Sequence, residues 1–171
     1  MPMGTISYIP KTVAKLIARK FDMTDIIIRE AKESDLLTIK QLTLELIKAM
    51  VDKEGIDIKL IAENCQNFLS EANSYILVAE IEGIVVGFVN FTTRKTILHR
   101  GLSGLIDEII IDKSCRGKGI GKQLLSSAIE KSRQLGCCEV EVSTEKTNIK
   151  AREFYRQYGF AERGVFFEID L

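Results

Sequence analysis

Between residues 106 and 125 the sequence reads IDEIIIDKSCRGKGIGKQLL, and its side chains are of types that do chemistry at definite places. Asp107 and Glu108 adjoin. A carboxylate pair can bind a cation or accept a proton from one. Downstream, Arg116, Gly117, Lys118, Gly119, Ile120, Gly121 and Lys122 form a basic, glycine-rich stretch. Glycines let a ligand approach the backbone closely, and a helix that starts there leaves its first N–H groups unpaired. Such a nest suits phosphate. Further along, Asn148 and Tyr155 are seven residues apart, about two helical turns, so both lie on one stripe. An ordinary tyrosine, with a pKa of about 10, is protonated at neutral pH and can donate a proton.

Two common phosphate loops do not fit. Counting back from Gly121-Lys122, a GxxxxGK[ST] loop needs glycine where Arg116 stands, and Gln123 occupies the place of the magnesium-binding hydroxyl. A GxGxxG fingerprint starting at Gly117 needs glycine at Lys122, and it belongs in a first βαβ unit rather than after three strands.

The elements that must hold these residues follow from apolar spacing. DIIIRE predicts a first strand. Ser34-Asp35 can cap a helix carrying Leu36, Ile39, Leu42, Leu46 and Met50 at helical intervals, and a second helix over 57–72 carries Ile58, Ile61, Ala62, Cys65 and Leu69. SYILVAEIEGIVVGFVNFTTR reads as a hairpin hinged at Glu82-Gly83. A strand over 104–111 leads into the glycine stretch, and a helix on Leu124, Leu125, Ala128 and Ile129 runs to Gly136. CCEVEVST predicts a strand, Asn148 to Tyr158 a helix stopped by Gly159, and VFFEIDL a final strand. The order β-α-α-β-β-β-α-β-α-β describes one mixed α/β domain.

The 171 residues, 46% of them apolar, suffice for one core. Lys11, Lys15, Arg19 and Lys20 sit in KTVAKLIARKF, which predicts a basic amphipathic helix and makes residues 1–22 an extension to a domain over 23–171. Without those four, the chain holds 20 basic residues against 24 acidic ones. That balance disfavours nucleic acid and mildly favours cationic amines. With no apolar run of about 20 residues, stable membrane insertion is not expected and a cytoplasmic protein is. Cys65, Cys115, Cys137 and Cys138 make no CxxC and His99 is the single histidine, so free thiols and no metal site are expected. His99 falls in the loop before the 104–111 strand, where a solvated role is the default.

Arg116-x-x-Gly119-x-Gly121, behind a strand ending Ile109-Ile110-Ile111, resembles the Q/R-x-x-G-x-G/A loop of the GNAT superfamily of N-acetyltransferases. NIKAREFYRQYGF matches that family's N-x-x-A-x-x-F-Y-x-x-x-G-F helix at Asn148, Ala151, Phe154, Tyr155, Gly159 and Phe160. The resemblance spans about residues 25–171. It implies a central, mostly antiparallel sheet flanked by helices and splayed at a β-bulge, with acetyl-CoA as donor and CoA as product. It further implies that residues 116–122 cradle the pyrophosphate, that Ile109, Ile110 and Ile111 present backbone to the pantetheine arm, and that an N–H near Ile109 polarises the thioester carbonyl. Asn148 is then a cofactor contact and Tyr155 the donor to the departing sulfur.

The base is open between Asp107, Glu108 and solvent. In a regular strand the two acids face opposite sides, Asp107 is the position matching the family's usual acid, and a bulge can turn Glu108 into the cleft. The leading reading is transfer of acetyl to a primary amine, on a small molecule or a peptide. The alternative is a catalytically silent acyl-CoA-binding or sensing module. A homodimer paired through VFFEIDL is compatible with either.

Overall fold

The computed structural model describes residues 25–49, 56–165, 167 and 169. The basic helix expected within residues 1–22, and most of the strand expected over 165–171, lie outside them. Strand β1 (Ile26–Glu30) leads through a short 3-10 turn at Glu33–Asp35 into helix α1 (Leu36–Ala49), followed by α2 (Ile61–Ser70). Then come β2 (Ser74–Ile81), β3 (Ile84–Lys95), β4 (Leu102–Ile111), α3 (Ile120–Gln134), β5 (Cys137–Val142) and α4 (Ile149–Gln157). The five strands lie in chain order in one sheet, antiparallel from β1 to β4 and parallel between β4 and β5. The β2–β3 turn is Glu82-Gly83, both at positive φ (49° and 80°), as a tight hairpin requires.

Alternation along the strands feeds two cores. Val89, Phe91 and Ile106 pack with Ile120, Leu124, Leu125 and Ala128 of α3 and Tyr155 of α4. On the opposite face, Ile76, Val78, Phe88 and Ile110 meet Ile39 and Leu42 of α1 and Cys65 and Phe68 of α2. Because both faces are covered, β2 and β3 read as nearly unbroken apolar runs instead of alternating ones.

The expected cap at Asp35 has become something stronger. Its carboxylate accepts the Lys32 N–H at 2.9 Å and two bonds from Arg29 at 2.6 and 3.0 Å, while Arg29 Nε donates to Glu80 at 2.7 Å. Burial alone would raise the Asp35 carboxyl, but Arg29 and the Lys32 amide outweigh it and hold the group below its ordinary value. A carboxyl lowered in the folded state stabilises above its unfolded pKa, and the gain is lost as pH falls through the folded one. Arg29→Met, which strands Asp35 in the core, is expected to cost about 2–3 kcal/mol at neutral pH. This is below the full range for a buried pair because the Arg29 side chain is 24% exposed. Urea titrations at pH 7 and near pH 3 should show the difference narrowing on acidification.

Candidate active site

The β3–β4 ladder slips by one residue in the middle. Phe91 pairs with Ile106 and Asn90 with Glu108, so Asp107 has no partner on β3. This is a β-bulge. It breaks the alternation: Ile106 belongs to the α3 face, whereas Ile110, four residues on, belongs to the α1–α2 face. Glu108, opposite Asn90 and in phase with Ile110, stands on the α1–α2 face; Asp107, next after the α3-facing Ile106, turns the same way. The regular-strand expectation that the two acids point apart therefore does not hold. The extra residue brings them to one side.

Asp107 is the more exposed of the two acids, though still partly shielded from water, and Glu108 is half-buried. Burial pushes the Asp107 carboxyl up. Glu108 is also raised, first by burial and then by the Asp107 charge, while the neighbouring Asn90 carboxamide opposes the rise. Asn90 Oδ1 accepts the Glu108 N–H at 2.9 Å. Cys65 of α2 borders this patch: its thiol is raised by burial and then by the charge of Glu108. Asn90 was not singled out from sequence, and Cys65 only as a helix position and a free thiol. The one available signal was an asparagine inside the apolar run VGFVNF, a residue type depleted in strands.

Beyond the bulge, β4 loses a neighbour. The β4–β5 pairing covers Leu102–Ile106 and then ends. Asp112 N–H bonds Val86 O across β3, so by alternation the backbone groups of Ile109 and Ile111 point to the edge that β5 has left. The Ile111 carbonyl there is taken by Arg116 Nε at 2.9 Å, which ties the glycine loop to the strand end. Ile109 keeps its edge, whereas the Ile110 side chain lies in the α1–α2 core, 3% exposed.

After a 3-10 turn at Lys113–Cys115, held by Asp112 through the Ser114 N–H, the chain enters α3 at Gly119, in the left-handed region (φ 78°, ψ −1°). No side chain caps this start. The first-turn amides of Ile120, Gly121 and Lys122 have no acceptor within the helix. A Cβ on Gly121 would lie 3.2 Å from Ile111 Cδ1 and 3.7 Å from Phe154 Cζ, so the strand end, the start of α3 and α4 converge there. Ile120 is buried in the core, Gly117 is at φ 74° with open space around it, and Lys122 Nζ lies 5.9 Å from the Tyr158 ring centre.

On α4, Tyr155 is 8% exposed, its ring edge-on to Phe154 (5.4 Å) and Phe160 (5.7 Å). Burial pushes its phenol up. Asn148 is the N-cap, its Oδ1 accepting the Ala151 N–H at 3.2 Å. It therefore precedes the helical stripe instead of sharing it with Tyr155, and its carboxamide nitrogen is left for another partner. His99 lies at the β3–β4 turn, bonded to Thr96 Oγ1 (2.6 Å) and facing Glu139 (3.2 Å). The strand from Leu102 to Asp107 separates it from the bulge by roughly 17 Å.

The profile of the Acetyltransferase (GNAT) family matches residues 41–160. This chain belongs to that family. It is 31% identical over 144 residues to the aminoalkylphosphonate N-acetyltransferase of Salmonella typhimurium, an alignment covering 84% of this chain and 88% of the relative. A possible acetyltransferase from Clostridium difficile 630 superposes with a TM-score of 0.77 at 24% identity, over 85% of this chain and 97% of that one. An aminoglycoside N-acetyltransferase solved in complex with CoA superposes at 0.72 and 19% identity, over 85% and 95% respectively. The acetyltransferase is accordingly an acyl-transferring enzyme with the expected mixed α/β fold: a mostly antiparallel five-stranded sheet flanked by helices. Among the described residues no group of three or more His, Cys, Asp or Glu is placed to hold a metal ion, and no helix is long and apolar enough to cross a membrane.

Proposed function

We propose that this protein transfers the acetyl group of acetyl-CoA to a primary amine by direct attack. The observation that carries the reading is the bulge at Asp107, which separates an open backbone edge at Ile109 from a carboxylate pair on the α1–α2 side. The residues suit the donor. Glycine at 119 and 121 keeps side chains out of the α3 start, the first-turn amides and Arg116, Lys118 and Lys122 offer positive charge to a diphosphate, and the Ile109 edge can pair with an amide-bearing arm. The acceptor's ammonium is drawn to Asp107 and Glu108 and gives one proton to the pair, directly or through water, and the neutral amine then attacks the thioester carbon. A C–N bond forms and the C–S bond breaks. The nitrogen sheds its second proton to solvent as the C–N bond forms, and solvent returns one to Tyr155 after it has protonated the thiolate. Tyr155 protonates the thiolate, with the Ile109 N–H polarising the carbonyl.

All four cysteines are unpaired, which suits the reducing cytoplasm where we place the enzyme. A panel of primary amines (polyamines, amino sugars, aminoglycosides, lysine and N-terminal peptides) assayed for free thiol release from acetyl-CoA tests the reading. Turnover with at least one is expected. Calorimetric binding of acetyl-CoA with no turnover on any member would instead make this the silent acyl-CoA-binding module. Gly121→Leu, which forces its side chain against Ile111 and Phe154, is expected to cost about 1–3 kcal/mol. It should also abolish most of the thermal stabilisation that CoA confers on the parent chain.

A further inference from the structure

Asn90 lies between Val89 and Phe91, both fully buried, and is itself 8% exposed. A carboxamide buried in the middle of a central strand costs free energy unless its donors and acceptor are used. It is the cross-strand partner of Glu108, so the two side chains stand side by side on one face. Its Oδ1 accepts the Glu108 N–H, the amide immediately after the extra residue. The carboxamide also stands close enough to the Glu108 carboxyl to favour its charged form. Because an ionised carboxylate only accepts, the part of the carboxamide that favours it is the NH2. One side chain thus holds the displaced backbone and borders the acid it carries.

We propose that Asn90 is a positioning residue for acetyl transfer: its carboxamide oxygen clamps the bulge amide of Glu108, aiming the Glu108 carboxylate at the acceptor side of the cleft. The proposal rests on the acetyltransferase reading above and names the residue that organises its acidic pair. Among the described residues, the other groups bearing on Glu108 are Asp107 on the same strand and Cys65 on α2, with Lys40 of α1 in electrostatic reach of Cys65. Asp107 and burial both favour the neutral acid; the neighbouring Asn90 carboxamide favours the charged one.

The test replaces Asn90 by leucine, of similar size and without hydrogen bonds, in the full chain. Asn90→Leu should lower kcat/KM for the best amine of the panel about 10-fold or more through misalignment, leave CoA affinity unchanged, and move the acidic limb of the pH profile to higher pH. In a Glu108→Gln background the same substitution should add no further loss, because its effect runs through Glu108. Should the leucine variant not fold, Asn90→Val, β-branched, suited to a strand and likewise without hydrogen bonds, carries the same comparison. Titration of the carbon-13-labelled Glu108 carboxyl by NMR, which needs no turnover, should report the same upward move. If that move occurs while the parent chain acetylates no amine, the clamp stands and the acetyl-transfer reading falls. An unmoved carboxyl titration and an unmoved acidic limb, with only the melting temperature reduced, would overturn the clamp.

Discussion

The double variant Asp107→Asn, Glu108→Gln is expected to lose about 10²- to 10⁴-fold in kcat/KM for the amine, the usual range for removing a general base, while CoA affinity is retained. The cause is the bulge. Had β4 run regularly, one acid would face α3 and the other α1–α2, and a single substitution would carry the whole loss. With Asp107 extra in the ladder, both stand on one side and each bears on the other's ionisation. The single variants should therefore be non-additive, each leaving a partner able to take over part of the role. Burial holds both carboxyls above their ordinary values. A base must be deprotonated to act, so kcat/KM should fall as pH drops through these raised values. The acidic limb belongs above the range of exposed carboxylates and should vanish in the double variant. Steady-state rates across pH 5–9 check this. A limb that survives both substitutions would assign the base to solvent.

Tyr155→Phe is expected to lower kcat by about 10²-fold, the lower part of the range for a general acid, with CoA affinity and melting temperature nearly unchanged. Phenylalanine keeps the edge-on contacts with Phe154 and Phe160, so the variant subtracts the hydroxyl and little else. The phenol is raised above its ordinary value by burial. Its donating form is therefore the prevailing one at every pH below about 10, and no basic limb below that pH should trace to Tyr155. Thiol-release kinetics with calorimetry of CoA decide the matter. Undiminished kcat would remove Tyr155 from the reaction and leave it a core aromatic.

Much of this architecture was legible one residue at a time. Leu36, Ile39, Leu42 and Leu46 at helical spacing announce α1, and Glu82-Gly83 announces the hairpin, because these signals depend on a few neighbours in the chain. The glycine loop was legible for the same reason: Gly119 at a left-handed N-cap and Gly121 under Ile111 are positions where a side chain is locally excluded. Asn148 was read by helical spacing as sharing a stripe with Tyr155. It lies one residue before the helix instead, where capping satisfies an otherwise unpaired amide.

By itself, the sequence determined the family, the order of elements from β1 to α4 and the residue types that could move a proton or hold a phosphate. Only the tertiary structure decided which way the acids face. A strand's side-chain direction is set by its register against a neighbour, and one unpaired residue reverses every position beyond it. The offset between Asn90/Glu108 and Phe91/Ile106 is a relation between strands about eighteen residues apart. No local period records it, and for that reason Asn90 shows its use only when β3 and β4 are side by side.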